Sequence, residues 1–144
     1  MEEETIVFEF ESKKLSYKIN LSNSNTVSVI GVDEEDRNGS IVIPSQITYK
    51  GKTYTVTEIG SFAFFNCDSL TNIMLPNSIT SIGCSAFEDC SSLTSITIPN
   101  SVTEIAKFAF AYCRNLTSIT IPNSCVSIDD TAFFGCSRLT IIKR

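Results

Sequence analysis

The strongest constraint on this chain is a motif that returns every 23 residues. The run Leu-Thr-x-Ile begins at Leu70, Leu93, Leu116 and Leu139. A phenylalanine, a cysteine and an isoleucine keep the same step: Phe64, Phe87, Phe110 and Phe133; Cys67, Cys90, Cys113 and Cys136; Ile59, Ile82, Ile105 and Ile128. A repeat of this length is one supersecondary unit, which buries its apolar side only when it stacks on its neighbours. The sequence therefore predicts a solenoid.

Each repeat is predicted to contain two short strands and a turn. Apolar and polar residues alternate towards Leu75, which indicates a strand with one buried face. Pro76 ends this strand because proline lacks a backbone donor, and a second extended piece follows over residues 79–82. Residues 85–90 lack alternation and are interpreted as a short helical or 3-10 turn. The predicted class is thus α/β, with the Phe and Cys ladders facing inward.

The chain is predicted to have two parts. Residues 1–40 lie outside the repeat pattern, and the alternating runs 5–10 and 15–21 indicate an antiparallel pair of strands. Because 40 residues have too little core to stand alone, we interpret them as an N-terminal β cap. The solenoid then covers residues 41–144, with a variant first repeat, three 23-residue repeats from 70 to 138 and a partial last repeat.

The variant first repeat carries an insertion around residues 49–54. Strand-like flanks surround Gly51, so the insertion is predicted to be a protruding hairpin. It is interpreted either as part of the cap or as a contact loop.

The repeat also carries a family resemblance. The run Ile-Pro-Asn-Ser-Val-Thr-Glu-Ile-Ala-Lys-Phe-Ala-Phe-Ala-Tyr-Cys-Arg-Asn-Leu-Thr-Ser-Ile-Thr at 98–120 resembles the BspA-like class of leucine-rich repeats, as does most of 41–144. The resemblance implies a curved solenoid used for adhesion and protein recognition in cell-surface or secreted proteins. An extracellular or cell-surface location is thus expected. Residues 1–4 lack the basic start of a secretory signal, so either a leader has been removed or the protein is cytoplasmic.

Composition argues against catalysis and metal binding. The chain has no histidine, which removes Ser-His and Cys-His nucleophile pairs and most zinc chemistry. Acidic neighbours occur at 88–89, at 129–130 and in the run 33–36, and each is more simply a solvated turn cluster. The four ladder cysteines are interpreted as buried free thiols, with disulfides as the alternative, while Cys84 and Cys125 remain unassigned. We therefore predict no enzyme, no cofactor and no metal site.

Recognition of protein partners remains the favoured function. The repeats carry no cluster of Lys and Arg, which argues against nucleic acid, and no apolar run approaches the ~20 residues that span a bilayer. Two sets of candidate contact residues follow, the outward ladder of the main sheet and a group of aromatics that the shared core does not need, because some other repeats carry Ser, Thr, Glu, Asp or Ala at their positions: Asn72, Met74, Ser95, Thr97, Ser118, Thr120 and Ile141; Phe62, Phe65, Phe108, Tyr112 and Phe134. The aromatics are interpreted either as packing between adjacent turns or as an exposed patch at an interface.

The predicted function is a non-catalytic recognition and adhesion module for host or neighbouring-cell surface and matrix proteins. The alternative is a structural spacer or self-assembly element. In that case chains would associate as a homodimer through the C-terminal end, because the sequence stops one strand into a repeat.

Overall fold

The described part of the fold consists of strands joined by turns, with almost no helix. A computed structural model describes residues 4–143, apart from the side chains of Ile141 and Lys143. In chain order the strands are β1 (Thr5–Phe10), β2 (Lys13–Asn20), β3 (Asn23–Val32), β4 (Asn38–Val42), β5 (Gln46–Tyr49), β6 (Lys52–Ile59), β7 (Ser69–Met74), β8 (Ser81–Ile82), β9 (Ser95–Thr97), β10 (Glu104–Ile105), β11 (Ser118–Thr120), β12 (Ser127–Ile128) and β13 (Ile141–Lys143). Within the described residues, the 3-10 turn Glu34–Asp36 is the only helical element.

The helical part of the α/β prediction is wrong. Residues 85–90 form stacked turns, because two of them adopt left-handed backbone, Ser85 at φ 55° and Asp89 at φ 62°. Their amides donate to the next turn instead of along a helix, for example from Asp89 N–H to the Ala111 carbonyl at 2.9 Å. A right-handed helix needs negative φ throughout, so this backbone excludes it. The molecule is a leucine-rich-repeat β-solenoid.

The strands form three sheets. The largest runs in the order β1-β2-β3-β6-β8-β10-β12, with β5 on the side of β6, and the others are β9-β11-β13 and β4-β7. β1, β2 and β3 are antiparallel neighbours, whereas β3 pairs with β6 in parallel and β6, β8, β10 and β12 follow in parallel. The N-terminal strands therefore share a sheet with the repeats, and the division at residue 40 stays a prediction.

The insertion in the first repeat forms the predicted hairpin. β5 and β6 are antiparallel and pair from Gln46↔Thr55 to Tyr49↔Lys52. Gly51 has φ 77° at the turn, a conformation that favours glycine. The hairpin places β6 between the N-terminal strands and the repeats.

The core follows the 23-residue step. Ile59, Ile82 and Ile105 are buried in register across β6, β8 and β10. The rings of the Phe ladder stack with centroids 5.2 Å apart for Phe64 and Phe87 and again for Phe87 and Phe110. The predicted inward Phe ladder is thus confirmed.

The Cys ladder lies beside the Phe ladder. Three of its thiols donate to a phenylalanine carbonyl of the preceding turn: Cys90 Sγ to Phe64 at 3.2 Å, Cys113 Sγ to Phe87 at 3.1 Å and Cys136 Sγ to Phe110 at 2.9 Å. All six cysteines are free thiols in this structure. In the last repeat Phe133 and Cys136 are only half-buried.

Candidate functional site

The predicted outward ladder lies on β7, β9 and β11, which belong to two sheets, β4-β7 and β9-β11-β13. Its side chains alternate with Ile73, Ile96 and Ile119, which are buried below them. Ser118 is half-buried and the other described members are exposed: Asn72, Met74, Ser95, Thr97 and Thr120. The side chain of Ile141, also predicted here, lies outside the described residues. The ladder carries hydroxyl, amide and thioether groups and no charge.

Four of these residues meet at a groove between β7 and β9. Among the described residues no β-ladder joins these two strands, although β4 pairs with β7 and β9 pairs with β11. A cavity of about 280 Å³ opens at this break. Its walls include Asn72 and Met74 on one side and Ser95 and Thr97 on the other.

Three of the predicted aromatic residues contact one another across two successive stacked turns, 108–113 and 131–136. Phe108 and Phe134 meet edge to face with centroids 6.3 Å apart, and Tyr112 meets Phe134 edge to face at 5.6 Å. Phe134 is 55% exposed and Phe108 38% exposed. We call Phe108, Tyr112 and Phe134 the aromatic cluster.

The backbone beneath the aromatic cluster is left-handed. Phe108 has φ 55° and Tyr112 has φ 58°. In bulky residues this conformation is an outlier, since the side chain crowds the following carbonyl at a cost of ~1–2 kcal/mol. At the Tyr112 position the other turns hold Asn66, Asp89 and Gly135, which tolerate this conformation better. At the Phe108 position they hold Phe62, Ser85 and Thr131, and Phe62 is left-handed as well, at φ 63°.

Gly135 forms the seat of the Tyr112 ring. A Cβ built on Gly135 would lie 2.5 Å from Tyr112 Cδ1, so only glycine leaves room for the ring. Tyr112 N–H donates to the Phe134 carbonyl at 2.7 Å, which ties the two turns together. The ring is therefore held by backbone contacts as well as by its neighbours.

Charged groups border the aromatic cluster on one side. The guanidinium of Arg114 lies 5.5 Å from the centroid of the Tyr112 ring, within range of a cation–π contact. The same guanidinium is 3.6 Å from Asp89 Oδ1. Arg114 and Asp89 were not predicted as residues of this site, because the contacts of Arg114 with Tyr112 and Asp89 depend on how successive turns stack.

A second aromatic pair lies apart from the aromatic cluster. Phe62 and Phe65, at the first turn, meet edge to face at 5.6 Å and are 58% and 41% exposed. The turn that carries Ser85 and Glu88 lies between this pair and the aromatic cluster, so the two aromatic groups are separate.

Among the acidic neighbours, Asp129 accepts two hydrogen bonds from Thr131. Thr131 donates its hydroxyl to Asp129 Oδ1 at 2.6 Å and its N–H to the same oxygen at 2.9 Å. These hydrogen bonds hold the pKa of Asp129 below its usual range, so its carboxylate stays ionised and secures a turn. A groove of about 580 Å³ runs beside it, lined also by Cys84 and Lys107. Within residues 4–143 no group of three metal-ligating side chains comes together.

Stacked turns, parallel short strands and ladders of Leu, Ile and Phe define a leucine-rich-repeat solenoid protein. The chain belongs to the BspA-type leucine-rich repeat family, since the model of that repeat region matches six copies over residues 57–144. The family prediction is thus confirmed. Comparison with curated proteins finds no match.

Solved leucine-rich-repeat proteins have the same fold. One from Bacteroides capillosus is 27% identical with a TM-score of 0.81, and the match covers 96% of this chain and 98% of that one. One from T. pallidum is 25% identical with a TM-score of 0.68, over 89% of this chain and 67% of that one. One from Bacteroides ovatus is 29% identical with a TM-score of 0.64, but this chain spans only 41% of its length.

No helix among the described residues has the length and apolar character needed to cross a membrane.

Proposed function

We propose that the chain is a non-catalytic recognition module that binds other proteins through the aromatic cluster, as an adhesion element at the cell surface. The family and the repeat fold support a general interaction role, because stacked repeats present an extended surface. The cell-surface location is part of the proposal and follows from the resemblance discussed above.

The exposure of the aromatic cluster carries the proposal. Two physical terms disfavour aromatics at these positions, the left-handed φ of Phe108 and Tyr112 and the exposure of Phe108 and Phe134. The repeat itself does not need them, since another turn folds with Ser85 and Asp89 in the equivalent places. Strained residues persist most often at functional sites, and exposed apolar patches often mark interfaces.

The geometry suits a contact surface. Edge-to-face packing, the Gly135 seat and Arg114 hold the rings of the aromatic cluster in place before binding. Little side-chain entropy is therefore lost on association. Tyrosine and arginine are also enriched among the residues that dominate binding energy in protein interfaces.

Binding to an array of purified extracellular-matrix and cell-surface proteins tests the proposal. The parent chain should bind at least one of them, and the triple variant Phe108→Ser, Tyr112→Ser, Phe134→Ser should bind it at least about 30-fold more weakly, as expected for hot-spot residues.

The matched control removes exposed apolar groups elsewhere. Leu21 is 87% exposed and Val126 is 83% exposed, so Leu21→Ser with Val126→Ser lowers surface hydrophobicity away from the aromatic cluster. An equal loss of affinity in the control and in the triple variant would mean that binding depends on general surface hydrophobicity and not on the aromatic cluster. Full binding by the triple variant would refute the proposal.

Self-assembly is a second candidate, which one observation favours. Ile142 pairs with Ile119 in register, yet it is 53% exposed whereas Ile119 is buried. Two chains that covered each other's β13 would bury this side chain in a homodimer. In that case Ile142→Ser should dissociate the dimer, while Phe134→Ser should leave it intact.

A further inference from the structure

The groove between β7 and β9 is a chemically distinct site from the aromatic cluster. It lies between the sheet β4-β7 and the sheet β9-β11-β13, at the one junction of the series β4, β7, β9, β11 and β13 where, within residues 4–143, neighbouring strands form no ladder. The next junction has the full register, for example Thr97↔Thr120. Facing backbone groups of β7 and β9 are thus outside the ladder and available to a ligand.

The lining of the groove combines neutral polar groups with a small apolar surface. Asn72 and Asn77 supply amides, and Ser95 and Thr97 supply hydroxyls, so every polar side chain in it can both donate and accept. Met74, which is 58% exposed, adds an adaptable apolar side chain. Among the described residues no charged side chain lines the groove.

This lining selects against two ligand classes. A charged ligand would lose hydration without gaining a partner charge, which is costly. A wholly apolar ligand would leave the amides, hydroxyls and strand-edge groups without partners. The remaining class is an uncharged molecule with many hydroxyls and one apolar face.

The size of the groove limits the ligand further. At ~30 Å³ for each water in the liquid, a volume of about 280 Å³ corresponds to about nine waters. That is room for one sugar ring. We propose that the groove binds a single uncharged hexopyranose unit, with its C–H face on Met74 and its hydroxyls towards Asn77, Ser95 and Thr97.

NMR titration of the ¹⁵N-labelled chain with methyl glycosides of uncharged hexoses and N-acetylhexosamines tests this inference. We expect saturable shifts of the amides in residues 72–77 and 95–97 with a Kd of about 1 mM, as suits a small open site. A methyl glucuronide, which carries a carboxylate, should bind less well. A second experiment measures binding to immobilised neutral glycans. Binding to both the methyl glycosides and the immobilised glycans would identify the ligand as the terminal sugar of a glycan. Binding to the methyl glycosides alone would identify it as a free sugar.

The chain supplies a matched pair of variants. Thr97→Val removes a hydroxyl inside the groove and should weaken binding about fivefold, the effect of one hydrogen bond. Thr120→Val makes the same change one repeat further, outside the groove, and should leave the Kd unchanged. Both positions are exposed on β-strands, where valine is well tolerated, so the fold should survive.

Three results would overturn the inference. The first is the absence of amide shifts with any sugar up to ~100 mM, a hundredfold above the expected Kd. The others are shifts that never saturate, and an equal loss of sugar affinity in Thr97→Val and Thr120→Val. The triple variant of the aromatic cluster should bind the sugar normally. Failure of the protein-recognition proposal would therefore leave this result untouched, and the reverse also holds.

Discussion

Truncation of Phe87 should destabilise the solenoid more than truncation of any aromatic at its end. Phe87 is fully buried, and its ring stacks on Phe64 and on Phe110 with interplanar angles of 3° and 6°. Burial of a ring of ~200 Å² at ~25 cal/mol per Å² is worth about 5 kcal/mol, and Phe→Ala changes in cores cost about 3–5 kcal/mol. We expect Phe87→Ala to lower the free energy of unfolding by about 4 kcal/mol. Phe133→Ala, at a half-buried ring with one described stacking partner, Phe110, should cost about 2 kcal/mol.

Urea denaturation followed by far-UV circular dichroism measures both values, since the chain has no tryptophan. A loss near 4 kcal/mol is a large part of a total stability of ~5–15 kcal/mol. Phe87→Leu, which we expect to cost about 1.5 kcal/mol, therefore provides a variant that keeps enough stability to be measured. Similar costs for Phe87→Ala and Phe133→Ala would refute the stacked core, as would a cost below ~1.5 kcal/mol for Phe87→Ala.

Three further perturbations follow from the structure. Tyr17 is fully buried and its hydroxyl has no hydrogen-bond partner within residues 4–143, so Tyr17→Phe should raise the free energy of unfolding by ~1 kcal/mol in urea denaturation; a loss of that size would contradict it. Gly135→Ala should lower the free energy of unfolding by ~2 kcal/mol, because Gly135 has φ 74° and an added Cβ would clash with the Tyr112 ring. An unchanged urea midpoint would contradict this contact between Gly135 and the ring. Burial raises the pKa of the Cys90 thiol. This thiol stays neutral in the fold but ionises above ~8.5 when unfolded, so its contribution to stability should be fully present below that pH and fall above it, by about 1.4 kcal/mol at pH ~9.5; a flat stability profile over that range under reducing conditions would contradict this.

The repeat register could be predicted from the sequence because it depends on spacing alone. Ile59, Ile82 and Ile105 recur at the 23-residue step and lie side by side in the sheet. The turn conformation was not predicted, since Ser85 and Asp89 give no sign of positive φ on their own. Comparison down the column would have helped, because Asn66 and Gly135 stand at the Asp89 position and both residue types tolerate left-handed backbone.

The candidate sites were predictable in part. Phe108, Tyr112 and Phe134 could be selected as aromatics that the repeat does not require, but their contact depends on how successive turns stack. The groove could not be predicted, because Thr97 and Thr120 have equivalent spacing and differ only in whether the neighbouring strands form a ladder. Sequence periodicity reports what repeats share, and the break between β7 and β9 is a departure from it.

Light scattering over a wide concentration range tests most directly whether the aromatic cluster is free to bind other proteins. The parent chain is compared with Phe134→Ser and with Ile142→Ser. We expect the mass of a monomer for all three proteins at every concentration. A dimer of the parent that Phe134→Ser dissociates would contradict it, because the aromatic cluster would then be an assembly surface covered by a second copy of the chain.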